Sequence, residues 1–269
     1  MASSYHNENG VFKNKYGIDD DSQLNALEYQ ISARRTKELT DGSFQLKNTE
    51  FNLDRLQETH HHIFKDVYEW AGKVRSVPSS KRAPNGQVSV FSDADLINEK
   101  WALLANKTKT FTEIKNNTLS NKIDALVDIY AEANHIHPFP EGNGRSLQVF
   151  MKQLANTQDV DLDFSKVDSR EWNNASSLSG IHGRLFEHRD LIQSKVDKEP
   201  IRKILNEIAT DIQPQKIIPV HESKPNAPQA LGQRPIITDD VREKIRQGIA
   251  KKFEQVHEKT KKSPRDIER

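Results

Sequence analysis

The sequence predicts a mainly α-helical domain that carries a small β-hairpin and continues into an extended tail ending in a helix. Through most of the first 200 residues, apolar side chains recur at helical spacing, as they do over 123–131. One stretch differs, because Asn85-Gly86 is followed by alternating Val88 and Val90. Asn-Gly is a strong hairpin signal, since both residues tolerate a positive φ. After residue 213, proline, glutamine and small polar residues dominate, which is typical of a linker.

The predicted helices follow from these patterns in chain order. Ser22 is suited to cap the first helix, and Asp93 or Asp95 to start the third. The helix that follows residues 137–143 is expected to begin near Gly144 or Arg145. The stretches whose apolar residues share one helical face are 24–31, 54–70, 96–104, 123–136, 147–155, 172–178 and 191–208.

These elements divide the chain into three regions. Residues 1–200 are predicted to form the main domain, with the hairpin near 75–91, and residues 201–236 a helix end and a proline-rich linker. Residues 237–269 are expected to form a basic amphipathic helix and tail, capped by Thr238. From residue 201 on, 15 basic residues face 10 acidic ones. We interpret this tail as a solvated helix on a tether, with a docking helix or an export signal as the alternative.

The composition excludes several classes of protein. The chain has no cysteine, which rules out disulfides and thiolate metal sites. Its net charge of +1 gives no reason to expect a nucleic-acid partner. No apolar run approaches the roughly 18 residues that a membrane span requires, and the N-terminus lacks the pattern of a signal peptide. These features predict a soluble protein made in the cytoplasm.

The segment HPFPEGNGR, residues 137–145, has the residue types of an anion-binding loop. Gly142 and Gly144 allow the backbone to approach a ligand closely, and the start of a helix offers unpaired N–H groups and a favourable dipole. Asn143 can donate hydrogen bonds to phosphate oxygens, and Arg145 can add a charge-assisted pair. The loop is therefore expected to hold a polyphosphate.

Two further residues of this segment add chemistry to the predicted phosphate site. A carboxylate such as Glu141 would repel phosphate unless a hard divalent cation lies between them, and Mg²⁺ is the usual choice. His137 can accept a proton near neutral pH. The combination suits the transfer of a phosphorus-containing group from a Mg²⁺-bound nucleotide to a nucleophile.

The same segment resembles the signature of the Fic domain family, HPFx[DE]GNGRxxR, at each of its first nine positions. Residues 61–76, HHIFKDVYEWAGKVRS, resemble the stretch that precedes the family's flap. The resemblance covers about residues 12–195. Within the family, this part of the chain is similar to the Fic modules of bacterial type IV secretion effectors and conjugation-linked toxins. It implies a Fic helical core that transfers AMP from ATP to a hydroxyl of a target protein.

The resemblance also implies roles for individual residues. His137 would deprotonate the target hydroxyl, and Glu141 would hold Mg²⁺ against the phosphates. The anion cradle would comprise Gly142, Asn143 and Gly144, with Arg145 neutralising the leaving pyrophosphate. The flap strand with Val88, Ser89 and Val90 would pair with an extended segment of the target protein.

One position departs from the family pattern. Three residues after Arg145 the family has a second arginine, which contacts the γ-phosphate and pairs with an inhibitory glutamate, whereas this chain has Gln148. ATP is therefore expected to bind more weakly, or another donor (UTP, GTP or a CDP-linked metabolite) to be preferred. Residues 4–9, SYHNEN, match the letters of the inhibitory pattern, but we interpret this as chance because the segment is rich in poor helix formers.

The resemblance leaves several functional contexts open. Removal of AMP from a modified protein would use the same residues, and a catalytically idle binding module is a further alternative. An antitoxin or a secretion machinery is implied as an additional partner. The expected location is the bacterial cytoplasm, with secretion into a host cell as the alternative.

Overall fold

The helices of this computed structural model surround a central pair, and the structure describes residues 5–82, 87–115, 117–185 and 191–212. Within these residues seven α-helices are present: α1 Asp21–Thr40, α2 Leu53–Phe64, α3 Ile97–Glu113, α4 Leu119–Ile136, α5 Asn143–Asn156, α6 Ser169–Leu178 and α7 Glu199–Ile208. Short 3₁₀ turns span Ala94–Leu96 and Phe164–Lys166. The strands are β1 Ser80–Arg82, β2 Gln87–Val90, β3 Val160–Leu162, β4 His182–Leu185, β5 Leu191–Gln193 and β6 Ala209–Asp211.

Helices α4 and α5 form the centre of the bundle. Helix α4 packs against α3, α5 and α7, while α5 packs against α2 and α1 as well. Buried residues of α4 recur at helical spacing, and large side chains of the neighbouring helices fill the space between them: Trp101, Phe111 and Phe150. The loop 137–142 joins α4 to α5, so both of its ends are fixed by the core.

The hairpin flap is part of a larger sheet. Strands lie in the order β1-β2-β4-β5 and all pair antiparallel, with Ser80 opposite Val90 and Val88 opposite Gly183. An isolated two-stranded hairpin is only marginally stable in water, so β4 and β5 support the flap. The turn residues Asn85-Gly86 lie outside the described residues. Strands β3 and β6 form a second, two-stranded sheet.

The structure corrects several predicted boundaries. Asp20, not Ser22, caps α1, because its side chain accepts a hydrogen bond from the Gln23 N–H. The predicted helix over 54–70 ends at Phe64, and the chain then turns so that Tyr68 and Trp70 stack with ring centroids 4.3 Å apart.

The end of the first region also differs from its prediction. The stretch 191–208 begins as strand β5, and its helix starts only at Glu199. The apolar face of α7 packs into the core and β6 pairs with β3, so residues 199–211 belong to the same folded unit as the helices before them. The linker and tail helix predicted over 213–269, including Thr238, lie outside the described residues. None of the helices within the described ranges is both long and apolar enough to cross a membrane.

Candidate active site

His137 ends helix α4 in a left-handed backbone conformation. Its φ is +49°, which is uncommon for a residue other than glycine and favours a functional constraint. The imidazole stacks on Phe91, with ring centroids 3.5 Å apart and planes within 6°. Its Nδ1 lies 3.2 Å from the carbonyl oxygen of Asn134. Since a carbonyl only accepts, Nδ1 carries the proton, which leaves Nε2 as the basic nitrogen.

Arg75 holds the backbone around His137. Its Nε donates to the His137 carbonyl at 2.8 Å, and its Nη2 donates to the Ile136 carbonyl at 3.3 Å. The same guanidinium donates to Val77 and Ser92, the residues that flank the flap. At 2% exposure Arg75 is buried, and burial lowers the pKa of its guanidinium. The buried guanidinium of Arg75 therefore connects the flap to the backbone of His137.

The surroundings of His137 keep its imidazole neutral. Burial lowers the pKa of His137 to about 3, and the nearby cations Arg75 and Lys81 act in the same direction. The hydrogen bond to the Asn134 carbonyl opposes this shift. A neutral imidazole has a lone pair available on Nε2 and is the form that can accept a proton from a hydroxyl.

The side chain of Asn143 shapes the loop from within. Its Oδ1 accepts from the Phe139 N–H at 2.9 Å, and its Nδ2 donates to the Phe139 carbonyl at 2.8 Å. Asn143 is 7% exposed and is not among the side chains that line the cavity described below. The amide that was predicted to contact phosphate is thus engaged with the loop backbone, because a sharp turn leaves those two peptide groups in need of partners.

His60 supports the loop from the side of α2. Its Nδ1 accepts from the Gly72 N–H at 2.8 Å, so its Nε2 carries the proton and donates to the Glu141 carbonyl at 2.9 Å. The ring stacks on Phe139 with centroids 3.9 Å apart. Burial lowers the pKa of His60 to about 3, which preserves this neutral tautomer.

The two glycines of the segment have different surroundings. Gly142 has φ +80°, and a Cβ at this position would lie 2.3 Å from the ring of Phe64, so only glycine fits. At Gly144 a Cβ would meet no atom within 4 Å, because this residue faces open space. Ser146 donates the first hydrogen bond of α5, to Gly142. The backbone N–H groups of residues 143–145 precede it and are the unpaired donors of a helix start.

Arg145 lies between two carboxylates. Its Nη2 is 2.6 Å from Oε1 of Glu28 on α1 and 3.6 Å from Oε1 of Glu141. Its Nη1 donates to the Ser32 hydroxyl at 2.9 Å, and the guanidinium lies over the Phe64 ring at 4.6 Å. The position of this cation is therefore fixed largely by helices α1 and α2.

A cavity of about 490 Å³ brings the predicted residues together. It is lined by His137, Glu141, Gly142, Gly144, Arg145 and Gln148, and by residues of the flap and of α6. Of the predicted docking residues Ser89 lines it, whereas Val88 is buried at 5% exposure. The lining also includes aromatic and small polar side chains: Tyr130, Phe164, Trp172, Asn173 and Ser176. The space has room for a nucleotide-sized ligand.

Glu141 is the carboxylate that lines this cavity among the described residues. Its side chain is 50% exposed. No group of three or more histidine, aspartate and glutamate side chains in the described part of the chain is arranged to hold a metal ion. A single accessible carboxylate fits Mg²⁺, which retains several waters and binds through one or two carboxylates together with substrate phosphates.

Comparison with protein-family models matches residues 50–155 to the Fic/DOC family. The match includes α2, α3, α4, the loop 137–142 and nearly all of α5. These residues form a Fic/DOC domain. The family resemblance of the segment 137–145 is thereby confirmed.

Two curated protein adenylyltransferases are similar to this chain over its Fic region. VbhT of Bartonella schoenbuchensis is 34% identical over 173 residues, which are 63% of this chain and 34% of VbhT. A protein adenylyltransferase of Bartonella henselae is 26% identical over 202 residues, which are 71% of this chain and 37% of that protein. The chain thus spans about a third of the length of each.

Solved structures show the same fold. The VirB-translocated effector BepC of Bartonella tribocorum with bound AMPPNP is 19% identical, with a TM-score of 0.62 over 78% of this chain and 97% of that one. The N-terminal Fic domain of a Bartonella quintana effector with bound ADP is 20% identical, with a TM-score of 0.64 and the same coverage. The predicted Fic helical core with a hairpin flap is confirmed.

Several residues of the site were not identified from the sequence: Glu28, His60, Arg75 and Phe91. Arg75 lies within the quoted stretch 61–76, but nothing in its neighbourhood marked it as a partner of His137. His60 is one of three consecutive histidines, a pattern that we had no local reason to connect with the loop. Their roles depend on contacts between distant parts of the chain.

Proposed function

We propose that this domain transfers AMP from ATP to a hydroxyl side chain of a target protein. The observation that carries the proposal is the cavity shared by the basic imidazole of His137, the guanidinium of Arg145 and the N-terminus of α5. A base, a cation and unpaired N–H groups around one nucleotide-sized space suit phosphoryl-group chemistry. The curated relatives named protein adenylyltransferases support the same reaction.

The residues of the cavity divide the reaction between them. Nε2 of His137 accepts the proton of the target hydroxyl as its oxygen forms a bond to the α-phosphorus. The bond between the α-phosphorus and the bridging oxygen breaks, and pyrophosphate leaves. Arg145 and the N–H groups of α5 stabilise the charge on the phosphates. Glu141 would hold Mg²⁺, which when bound neutralises phosphate charge.

The flap is the proposed docking element for the target, but at a different strand from the one predicted. Strand β2, with Val88, Ser89 and Val90, pairs with β1 on one side and β4 on the other. Its backbone therefore cannot pair with a third strand, and the prediction for these residues is wrong in this respect. The described sheet has two edge strands, β1 and β5. All three residues of β1 are exposed, and its Lys81 lines the cavity. We assign strand addition to β1.

Gln148 gives a reason to test more than one nucleotide donor. It lines the cavity beside Arg145, at the position where the family pattern has a second arginine. A neutral amide offers the terminal phosphate less stabilisation than a guanidinium does. UTP, GTP and CDP-linked donors therefore remain alternatives to ATP. BepC is a VirB-translocated effector, and secretion of this chain into a host cell stays a prediction.

The decisive experiment incubates the protein with each α-labelled nucleotide, Mg²⁺ and a bacterial or host-cell lysate. We expect label on a protein band with the wild-type chain and none with His137→Ala. His61→Ala is the matched control, because His61 is exposed and does not line the cavity. Label from a nucleotide other than ATP would change the donor, and an absence of label with every donor would refute the transferase in favour of a binding module.

A further inference from the structure

Glu28 is a buried carboxylate outside the region matched by the family model. It lies on α1 at 5% exposure, whereas the match covers residues 50–155. Its carboxylate contacts Nη2 of Arg145 at 2.6 Å and accepts a hydrogen bond from the hydroxyl of Tyr68. A buried carboxylate is costly unless it is paired and hydrogen-bonded, and these two contacts satisfy it. The pairing joins a helix near the start of the chain to the first turn of α5.

We propose that Glu28 is the positioning residue of Arg145, which keeps this guanidinium available to the phosphates by limiting its pairing with Glu141. The inference deepens the proposed function and rests on it. It concerns the orientation of the Arg145 guanidinium. No residue within the segment 137–145 holds that guanidinium in this orientation.

The location of Glu28 favours positioning over obstruction. Arg145 lines the cavity, as does the neighbouring Tyr29, but Glu28 does not. The carboxylate therefore lies behind the guanidinium and leaves the cavity open. Ser32, one helical turn further along α1, accepts from Nη1 at 2.9 Å. Two anchors on one helix fix the plane of the guanidinium, which is what bidentate recognition of phosphate requires.

Glu141 is the second, more distant carboxylate partner of Arg145. Its Oε1 is only 3.6 Å from Nη2, and its side chain is far more exposed than that of Glu28. Without the charge of Glu28, Arg145 would turn toward Glu141, the nearest remaining carboxylate. That pairing would occupy both the phosphate-binding cation and the proposed magnesium ligand. Loss of Glu28 is therefore expected to weaken polyphosphate binding and to raise the Mg²⁺ concentration needed for activity.

The test compares Glu28→Gln with wild type by calorimetric titration of ATP, ADP and adenosine in the presence of EDTA. We expect binding of ATP and ADP to weaken about ten- to hundredfold, the range for a lost charged hydrogen bond, and binding of adenosine to stay unchanged. Glu38→Gln is the matched control, because Glu38 is an ion-paired carboxylate on the same helix, with Arg35 as its partner outside the cavity. Equal or tighter ATP binding by Glu28→Gln would overturn the proposal.

Two further variants separate positioning from general stability. In an Arg145→Ala background, Glu28→Gln should have no further effect on ATP binding, whereas loss of affinity through misfolding would persist. Glu28→Asp retains the charge but shortens the side chain, so its loss of ATP affinity should be intermediate, and this variant serves if Glu28→Gln does not fold. An additive effect in the Arg145→Ala background contradicts the inference. Failure of wild type to bind any nucleotide would instead contradict the proposed function.

Discussion

Replacing Gly142 by alanine should destabilise the fold through the loop that precedes α5. The backbone at Gly142 has φ +80°, which costs a residue with a Cβ about 1–2 kcal/mol. The new Cβ would also lie 2.3 Å from the buried ring of Phe64, and overpacking of this kind costs about 1–3 kcal/mol. Phe64 is fully buried and cannot move aside freely. We therefore expect the free energy of unfolding to fall by about 2–5 kcal/mol.

Urea unfolding, followed by far-UV circular dichroism, measures this loss as a lower midpoint with an unchanged slope. Gly144→Ala is the matched control, since its Cβ meets no atom within 4 Å and its chain position lies two residues away. This control should unfold within about 1 kcal/mol of wild type, the usual cost of exchanging glycine and alanine in a helix. It should nevertheless bind ATP more weakly, because the methyl group enters the proposed phosphate space.

An unchanged unfolding midpoint for Gly142→Ala would refute the steric argument. It would mean that the loop accommodates a Cβ beside Phe64, and that glycine is present for another reason. Wild-type affinity of Gly144→Ala for ATP would separately refute the assignment of Gly144 to the phosphate-binding surface.

Three further predictions concern the partners of the loop. Burial lowers the pKa of folded His60 to about 3, so its contribution to stability is complete above pH 6.5 and declines as the pH falls toward 3. At pH 5 the free energy of unfolding should be lower by about 2 kcal/mol. Urea titrations at different pH values should show a smaller pH dependence of stability for His60→Gln than for wild type. Arg75→Lys should lower kcat about tenfold or more with little change in the KM for ATP, because lysine cannot reproduce the forked hydrogen bonds that position His137. A change confined to KM would contradict this role of Arg75. Gln148→Arg should tighten ATP binding severalfold over AMP in calorimetry, and unchanged affinity would exclude position 148 from contact with the terminal phosphate.

The parts of the site that the sequence predicted are those that depend on neighbouring residues. The periodic apolar face over 123–136 located α4 and the position where it ends, and the glycine-rich segment located the start of α5 to within one or two residues. The chemistry of His137, Glu141 and Arg145 followed from their side chains, and the cavity contains all three. Hydrophobic periodicity and residue type are local properties of a sequence. These features could therefore be predicted without knowing which distant segments of the chain are in contact.

The remaining features depend on contacts that no local pattern records. Arg75 reaches a carbonyl 62 residues further along the chain, and Ser32 a guanidinium 113 residues away. The side-chain contacts of Asn143 could not be predicted because its residue type suits both phosphate binding and backbone capping, and only the folded loop shows that the Phe139 carbonyl lies within reach. The protonation of His137 was likewise decided by burial rather than by its type.

The middle position of β2 in its sheet has a practical consequence for redesign of target recognition. The hairpin rests on β4, whose Gly183 lies opposite Val88 although 95 positions separate them in the sequence. A graft that moved only residues 75–91 into another Fic scaffold would leave behind the strand that pairs with β2. Chimeras intended to exchange specificity should therefore carry residues 182–193 together with the hairpin, as a single four-stranded cassette.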